Sequence, residues 1–506
     1  MPTMLDSLDE HKHVDAVMDA LHRARRALGE AVSLLVAEGA TFAERELAAL
    51  ELANEACRLN LEDELQAVAD AQTSEGMLID GVAFRRHHEG SATYHSLCGA
   101  VRIRRPTYRD LRVRNGPTVV PLDLQLGIIE GATPALAYRI ALGYAQCPSR
   151  QLEKQLAASQ RVAPSRSTLE RIAKAIGTQA KTHQVELEPI VRSQQPVAAH
   201  AGAISIGLDR TTIPMEELCP FEQPLHRQKT RSKPYVRRRP EPVHVQYRMA
   251  YVGTVSIVDS NADAICVYRY ASSAEEGPSR VVASMMADIR HTLERRARSR
   301  KPPLPVGIVQ DAAPEMWQLL TTALRAEAIV PTWHEAVDRF HLMEHLAGAL
   351  SVLPLAQHTK TQTLTQWRSD LSRSDTAIDN IERFLHREEA RYAKTCAAAN
   401  RRFRFNDWTI LRDHIKYIRN HKHRMRYATH HQLGLPTGSG ATEGACKSLV
   451  TMRTKGSGQR WHGKGVDAVL TLRAYEMSGR LPAFFRCLAE TYTAATVKPG
   501  YWASAA

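Results

Sequence analysis

The stretch from residue 203 to about 333 constrains the fold of this chain more than any other part. Short apolar segments occur in it at 203–208, 247–258, 264–270 and 305–310. Their composition and length are those of strands. A helical pattern over 279–298 separates the last two segments, and Pro314 opens a further helix. The sequence therefore predicts an α/β core in the middle of the chain.

Acidic residues follow two of these segments. Asp209 comes directly after 203–208, Asp311 comes directly after 305–310, and a third acid, Glu443, ends the glycine-rich stretch 437–443. Two carboxylates at strand ends and one at a helix start can converge on a pair of Mg²⁺ ions, and such pairs cut and join nucleic acid. A strand, a meander of two more, a helix and a strand that ends in an acid is the order of a ribonuclease-H-like core. On spacing alone, this trio is one among many, because the chain has 54 acids.

The charge of the chain indicates a polyanionic partner. The net charge is +13, and residues 1–72 hold 15 acids and 6 bases, a net −9, so the remainder carries 13 + 9 = +22. Nucleic acid is the natural partner of such a remainder, although charge asymmetry can also serve solubility alone.

The cysteine pattern and the hydropathy predict a cytoplasmic protein, associated with the nucleoid when it is bound to DNA. The eight cysteines form no C-x-x-C pair, which argues against a zinc ribbon and a disulfide framework. No apolar run approaches the roughly 18 to 20 residues that span a bilayer, and the N-terminus lacks the features of a signal peptide. We expect no membrane partner and no small-molecule cofactor.

Two regions precede the predicted DNA-binding part. Residues 1–72 have apolar residues at helical spacing, which predicts either a simple helical hairpin or a dimerisation arm, and hence a homodimer or higher homo-oligomer on DNA. Residues 73–126 predict a β-hairpin around Cys98-Gly99-Ala100, with Val101 and Ile103 on one face and Arg102 and Arg104 on the other. That basic face either follows phosphates or is simply solvated.

Residues 127–198 predict a helix-turn-helix domain with helices at 134–145, 149–158 and 165–176. In the third helix, Leu169, Ile172, Ala173 and Ile176 share an inward face, and Ser167 and Glu170 form a capping-box pattern. The candidate DNA-contacting residues of this recognition helix are Arg166, Ser167, Arg171 and Lys174. Three-helix units that bind no DNA are also common.

Two further segments interrupt the α/β core. Residues 227–242 contain Arg237, Arg238 and Arg239 among prolines, which predicts a basic loop that acts as a DNA clamp or is a disordered insertion. Residues 336–432 predict a helical insertion domain, which separates Asp311 from Glu443 by 443 − 311 = 132 positions. Histidines near its end are better explained by a basic helix face than by a metal site.

Several blocks of the chain resemble bacterial insertion-sequence transposases of the ISKra group, which are related to the Mutator-like DDE transposases. The blocks are 206–211, 307–317, 438–444 and 452–461, together with 132–138 and 164–171, so the resemblance covers roughly 90–490. It implies a ribonuclease-H-like DDE catalytic domain formed by 199–335 and 433–490, followed by a C-terminal tail at 491–506. In that domain, Asp209, Asp311 and Glu443 are implied to hold two Mg²⁺ (or Mn²⁺) ions per active site.

The Mutator-like enzymes also carry a short signature of Cys or Asp, two residues, and His. Here it matches Asp338-Arg339-Phe340-His341, and the resemblance implies that His341 orients a scissile phosphate or an end nucleotide. The alternative is a local pair on a helix surface. After Glu443, the expected DNA contacts are Lys447, Arg453, Lys455 and Arg460, with Trp461 as a stacking surface.

The predicted fold class is therefore multidomain α and α/β: N-terminal helices, a β-hairpin region, a helix-turn-helix, and a ribonuclease-H-like core interrupted by helices. The predicted function is that of a DNA transposase that binds the double-stranded ends of its element and carries out metal-dependent cleavage and strand transfer into target DNA. The alternatives are a transposase-derived DNA-binding protein without catalysis and a ribonuclease-H-like nuclease without strand transfer.

Overall fold

The computed structural model of the protein describes residues 14–79, 81–113, 116, 118–159, 163–218, 243–398, 405–494 and 498–499. It is a mixed α/β protein with two open, five-stranded sheets, in agreement with the α and α/β class expected from the sequence. The chain divides into two compact units, residues 1–176 with 485–506, and residues 177–484. Within the described ranges, no helix is both long and apolar enough to cross a membrane.

The elements are numbered in chain order. The strands are β1 (Gly76–Ile79), β2 (Val82–Ser96), β3 (Gly99–Asp110), β4 (Thr118–Val119), β5 (Ala203–Leu218), β6 (Val243–Val258), β7 (Ala264–Ser272), β8 (Val306–Gln310), β9 (His334–Val337) and β10 (Lys498–Pro499). The helices are α1 (Val14–Leu35), α2 (Phe42–Asp70), α3 (Pro121–Leu126), α4 (Pro134–Gln146), α5 (Ser149–Ala158), α6 (Arg166–Thr182), α7 (Gln184–Ser193), α8 (Ser279–Arg298), α9 (Pro314–Ala326), α10 (Arg339–Ser351), α11 (Gln357–Arg373), α12 (Ala377–Ala398), α13 (Phe405–His421), α14 (Tyr427–Gln432), α15 (Gly440–Ala445), α16 (Met452–Thr454), α17 (Gly463–Met477) and α18 (Leu481–Ala494).

The first unit contains an antiparallel sheet in the order β10-β1-β2-β3-β4. The predicted hairpin is confirmed: β2 and β3 pair up to Ser96 and Gly99, and the alternation in β3 buries Val101 and Ile103 in one cluster with Leu65 of α2. The arginines that alternate with them are exposed. One face of this strand is therefore held by α2 and the other faces solvent.

The three helices predicted for residues 134–176 are confirmed, and α6 runs six residues further than expected, to Thr182. All four residues of its predicted inward face are fully buried. The predicted capping box is wrong: α6 already begins at Arg166, before Ser167, and Ser165 precedes its first turn and accepts the Thr168 N–H at 3.4 Å. The Glu170 carboxylate instead accepts a hydrogen bond of 2.6 Å from Ser149.

The second unit contains a mixed sheet in the order β7-β6-β5-β8-β9. β5, β6 and β7 are antiparallel neighbours, whereas β5, β8 and β9 run parallel. Helices α8 and α9 cover the sheet, and Met285 and Trp317 pack in one core cluster with Ile206 and Ile308. The sequence predicted four of these strands and missed β9, which has only four residues and an apolar pattern too short to stand out.

Asp209 does not stand at the end of a strand, as the sequence suggested. β5 continues to Leu218 and stays paired with β6 along its whole length, so Asp209 lies within the strand, opposite Val252. Asp311 directly follows β8, as predicted.

The segment between β9 and α15 is helical, as predicted, in the part that the structure describes. Helices α10, α11, α12, α13 and α14 share a buried cluster that also includes Val309 of β8 and Ala336 of β9. The helical segment thus packs directly against the parallel strands β8 and β9. This packing fixes the position of α10 relative to the carboxyl ends of these strands.

A buried ion cluster centres on Asp288 of α8. Asp288 is 1% exposed and accepts hydrogen bonds from Arg192 at 3.0 Å and from Arg480 at 2.6 and 2.9 Å, as well as one from Tyr270. Both arginines are more than nine-tenths buried. One carboxylate therefore neutralises two buried cations that come from α7 and from the residue before α18.

We predict that Asp288→Ala lowers the free energy of unfolding of the second unit by about 3–5 kcal/mol, because two buried guanidinium groups lose their counterion. Chemical denaturation followed by tryptophan fluorescence measures this loss. The matched control is Glu294→Ala on the same helix, where the exposed pair with Arg298 at 3.8 Å contributes less than about 1 kcal/mol. Equal losses in the two variants would contradict the prediction.

Candidate active site

The parallel pairing of β5 and β8 brings two of the predicted acids side by side. Ile206 is paired with Ile308, and two residues further along each strand, the Gln310 side-chain carbonyl accepts a hydrogen bond from the Leu208 backbone at 3.3 Å. Asp209 and Asp311 are the next residues on the two strands. Because parallel strands keep their register, these carboxylates leave the sheet at the same edge.

A third acid lies on the same edge, and it is not Glu443. In β9, Val337 is paired with Gln310, and the Asp338 backbone N–H donates to the Gln310 carbonyl at 2.9 Å. Asp338 is therefore next to Asp311 in the register. The sequence singled out Asp338 only as a partner of His341, because β9 was not predicted.

Asp338 is buried and fully occupied by hydrogen-bond donors. It is 2% exposed, caps α10 by accepting the backbone N–H groups of Phe340 at 2.6 Å and His341 at 3.1 Å, and accepts both the N–H and the hydroxyl of Ser439, the latter at 2.6 Å. These contacts tie α10 to the residue that precedes α15. Asp338 therefore links α10 to the segment before α15. Asp209 and Asp311, by contrast, are only partly buried.

Glu443 lies in the first turn of α15, as predicted, and α15 is seated on the sheet through Thr442. Thr442 is 3% exposed, and its hydroxyl is 2.7 Å from the hydroxyl of Thr254 in β6. Gly207 of β5 lies directly below it: a Cβ atom at Gly207 would stand 2.2 Å from the Thr442 hydroxyl and 2.8 Å from the Val309 carbonyl oxygen. The absent side chain at Gly207 is what allows α15 to approach the strands.

The Glu443 carboxylate is held from two sides. Its Oε1 accepts a hydrogen bond from the Ser439 hydroxyl, which also faces Asp338, and it lies 3.7 Å from Nε2 of His341. The other ring nitrogen of His341 is 3.1 Å from Glu344. Burial opposes the charged imidazolium, but the hydrogen bond to Glu344 and the charges of Asp338 and Glu443 raise the pKa of His341 above its ordinary value.

Asp209 carries the clearest electrostatic sign of a shared site. Burial, together with the negative charges of Asp311 and Glu443, raises its pKa above the ordinary value, against the effect of hydrogen bonds from the Arg210 backbone at 2.6 Å and from the Cys446 thiol at 3.3 Å. Asp311 and Glu443 are thus close enough to Asp209 for their charges to act on it. A convergence of like charges of this kind is what a bound cation relieves.

The donor set fits hard divalent cations, because all three groups are carboxylates. Within the residues that the structure describes, no three His, Cys, Asp or Glu side chains already stand in a geometry that would hold one metal ion. Each carboxylate is turned toward a local donor instead: Asp311 accepts the Ala313 N–H at 3.1 Å, and Glu443 accepts Ser439. Metal binding would therefore exchange these hydrogen bonds for coordination.

Cys446, three residues after Glu443, is a member of the site that the sequence missed. It is 8% exposed, and burial together with the charges of Asp209, Glu443 and Asp311 raises the pKa of its thiol, which keeps the proton that it donates to Asp209. Cys446 opens a π-helical turn, Cys446–Thr451, between α15 and α16.

The basic residues after Glu443 divide into two groups. Lys447, Lys455 and Arg460 are exposed; Lys455 donates to the hydroxyl of Thr212 at 3.1 Å, and Arg460 lies 3.5 Å from Glu216. These three cations border the β5 side of the site and are accessible to a phosphate.

Arg453 and Trp461 are not accessible, contrary to the expected phosphate contact and stacking surface. They are 3% and 9% exposed, the guanidinium lies 5.1 Å from the centre of the indole ring, and the indole N–H donates to the Thr454 carbonyl at 3.0 Å. Burial of an aromatic ring against an arginine explains both positions, so in this structure the pair supports the segment instead of offering it to DNA.

The other predicted DNA contacts lie in two places. On α6, Arg166, Ser167, Arg171 and Lys174 are exposed, although Arg166 is 3.6 Å from Glu170 and Arg171 is paired with Glu130. The basic residues Arg237, Arg238 and Arg239 lie outside the described residues.

The sequence-based site did not include Ser439, Thr442 or Cys446. It also did not include the link that Asp338 makes between α10 and the residue before α15. A sequence signal existed for the first two, because both stand in the glycine-rich stretch that leads into Glu443. No local pattern marks Cys446 or the contact of Asp338 with Ser439, because the partners are 237 and 101 residues apart in the chain.

A scan against protein-family models gives no match for this chain. A search of curated protein sequences gives no significant match either.

We predict that Gly207→Ala destabilises the second unit by about 1–3 kcal/mol, because the added methyl group meets the Thr442 hydroxyl and the Val309 carbonyl in a filled space. The matched control is Gly440→Ala in α15, where a Cβ atom meets nothing within 4 Å and the change is neutral or stabilising by up to about 1 kcal/mol. Thermal and urea denaturation compare the two. Similar stability of both variants would show that the Gly207–Thr442 contact does not seat α15.

Proposed function

We propose that this protein is a DDE-type DNA transposase, in which Asp209, Asp311 and Glu443 form the catalytic site. The observation that carries the proposal is the convergence of the three acids expected from the sequence: Asp209 and Asp311 follow neighbouring residues of two parallel strands, and the charge of Glu443 on α15 acts on Asp209. The strand order β7-β6-β5-β8-β9, with three antiparallel and then two parallel strands, supports a ribonuclease-H-like core.

Two Mg²⁺ (or Mn²⁺) ions bound by these carboxylates would activate a water molecule and neutralise the charge that develops on the phosphate. The protein's own residues prepare the site. Ser439 and His341 orient the Glu443 carboxylate, and the Cys446 thiol orients that of Asp209. A positively charged His341, favoured by its acidic neighbours, attracts a phosphate oxygen beside Glu443.

The substrate of this chemistry is a DNA phosphodiester bond. The first reaction frees a 3′-hydroxyl at each end of the element, and the second is the attack of that hydroxyl on target DNA in the same site. Lys447, Lys455 and Arg460 supply phosphate contacts along one border of the site, and the exposed residues of α6 supply contacts to the element's ends.

The functional assembly is a homodimer or a higher homo-oligomer on DNA. Helices α1 and α2 expose apolar side chains that one chain leaves uncovered, among them Met18, Leu21, Leu47 and Leu50. The surrounding region is acidic and repels DNA, so a second copy of the chain is a better partner for this face.

One prediction of the proposed function concerns the three catalytic acids. Purified protein with Mg²⁺ should cleave and join labelled DNA that carries the element's own ends, and Asp311→Asn should lower the rate by at least about 100-fold, because a ligand to the charge-neutralising ions is lost. The matched control is Glu315→Gln, an exposed acid four residues later that is paired with Arg210 at 2.7 Å, and its rate should stay within about twofold of the wild type.

The same assay distinguishes the alternatives. Cleavage or joining that survives Asp311→Asn would refute the acid assignment. Cleavage without joining would identify a nuclease, and specific binding without either reaction would identify a DNA-binding protein that lacks catalysis.

Another prediction of the proposed function concerns the exposed cations that follow Glu443. Lys447→Ala, Lys455→Ala and Arg460→Ala should each weaken DNA binding and reduce the slope of log affinity against log salt by about 1, because one phosphate contact is removed. The control is Arg325→Ala, an exposed cation in the last turn of α9, away from the end that follows Asp311. Fluorescence anisotropy over a salt series measures the slopes, and unchanged slopes in all three variants would exclude this border as a DNA contact.

A further inference from the structure

A groove of about 500 Å³ opens beside the candidate site, between α10, α11 and the segment that leads into α15. Its volume lies within the roughly 300–1,000 Å³ that ligand pockets occupy. Phe340, Met343 and Leu364 supply most of its apolar surface, and Arg339 and Arg368 supply positive charge. None of the proposed catalytic acids lines this groove.

One wall of the groove is shared with the site. The ring of Phe340 is 6.2 Å from that of His341, and Glu344, which lines the groove, is hydrogen-bonded to His341 at 3.1 Å. His341 in turn is 3.7 Å from Glu443. His341 and Glu344 thus connect the groove to the acids, and the groove lies within a few nucleotides of a phosphate bound there, since successive nucleotides of one strand are about 3.4 Å apart.

Phe340 has an unusual place for an aromatic residue. It is 66% exposed although it is only two residues into α10 and next to a buried methionine, Met343. An exposed phenylalanine ring beside a catalytic site offers a flat apolar face, and base–aromatic stacking is the interaction that such a face makes with a nucleic acid.

The charges of the groove favour a nucleotide over a purely apolar ligand. The groove has two arginines and one acid, Glu344, among its lining residues. The Arg339 guanidinium is braced by the Arg368 carbonyl and lies 6.0 Å from the ring of Tyr427, while Arg368 is exposed. An apolar peptide would form no ion pair with these arginines. A nucleotide can stack its base on the Phe340 ring and place its phosphate beside an arginine.

We propose that this groove receives one unstacked nucleobase of the DNA strand bound at the acids, with Phe340 as its stacking face. A base within a duplex is covered by its neighbours, so entry requires that the nucleotide rotate out of the stack. Stacking on Phe340 in the groove offsets part of the free energy of unstacking. It also fixes the position of the adjacent phosphodiester bond. The proposal rests on the proposed function, because it assumes that the acids bind a DNA strand.

The test uses DNA ends with a single abasic site at each nucleotide near the cleaved bond in turn. Phe340→Ala should slow the cleavage of intact DNA roughly 5- to 150-fold, the range that about 1–3 kcal/mol of stacking gives. At one abasic position, the wild type and Phe340→Ala should cleave at nearly equal rates, because no base remains to be stacked. Phe340→Trp should restore the rate on intact DNA. Ile410→Ala, which truncates a 42% exposed apolar side chain of α13, is the matched control.

A second measurement does not depend on cleavage. With 2-aminopurine at that nucleotide and no divalent metal, binding of the wild-type protein should raise the fluorescence, and Phe340→Ala should reduce the rise. If the wild-type protein does not cleave DNA, the proposed function is wrong. The 2-aminopurine fluorescence then still tests the groove proposal. An equal effect of Phe340→Ala on intact and abasic DNA at every position, or no response of 2-aminopurine at any, would overturn the groove proposal.

Discussion

The parallel hydrogen-bonded register of β5, β8 and β9 is the constraint on which the candidate site depends. It places Asp209, Asp311 and Asp338 one residue beyond neighbouring positions on three adjacent strands, so the three residues lie side by side where β8 and β9 end. Three carboxylates at one edge repel one another, and the fold resolves this in two ways. Asp338 accepts the backbone N–H groups of Phe340, His341 and Ser439 and shares the one Ser439 hydroxyl proton with Glu443, while Asp209 and Asp311 stay partly exposed, and a cation would relieve the effect of the Asp311 charge on Asp209.

The fourth acid reaches this edge through packing, not through the sheet. Thr442 fits into the space that Gly207 leaves, and Ser439 is held by Asp338, so the short helix that carries Glu443 is fixed at both of these points. Small residues at the contact let the helix approach the strands closely. Buried hydrogen bonds then orient a carboxylate that is itself exposed, which is the arrangement expected of a preorganised site.

The surroundings of the acids divide by burial into supporting and accessible residues. Arg453 and Trp461 pack on each other inside the molecule, whereas Lys455 and Phe340 remain at the surface on different elements. Charge and aromaticity in the sequence identify which residues are suited to DNA. Only burial decides which of them a DNA strand can reach.

The sequence by itself determined much of the local structure and singled out Asp209, Asp311 and Glu443 as the candidate acids. Hydrophobic periodicity is a local property, so it predicted the hairpin, α4 to α6, the four longer strands and α8, although β5 continues ten residues beyond the expected strand and α6 six residues beyond the expected helix. The tertiary structure decided what depends on distant residues. Strand β9 is too short for a pattern of its own and exists through pairing with β8, and the roles of Asp338 and Cys446 follow from partners more than 100 residues away. Whether an arginine or tryptophan is exposed depends on what packs over it, and a linear pattern does not contain that information.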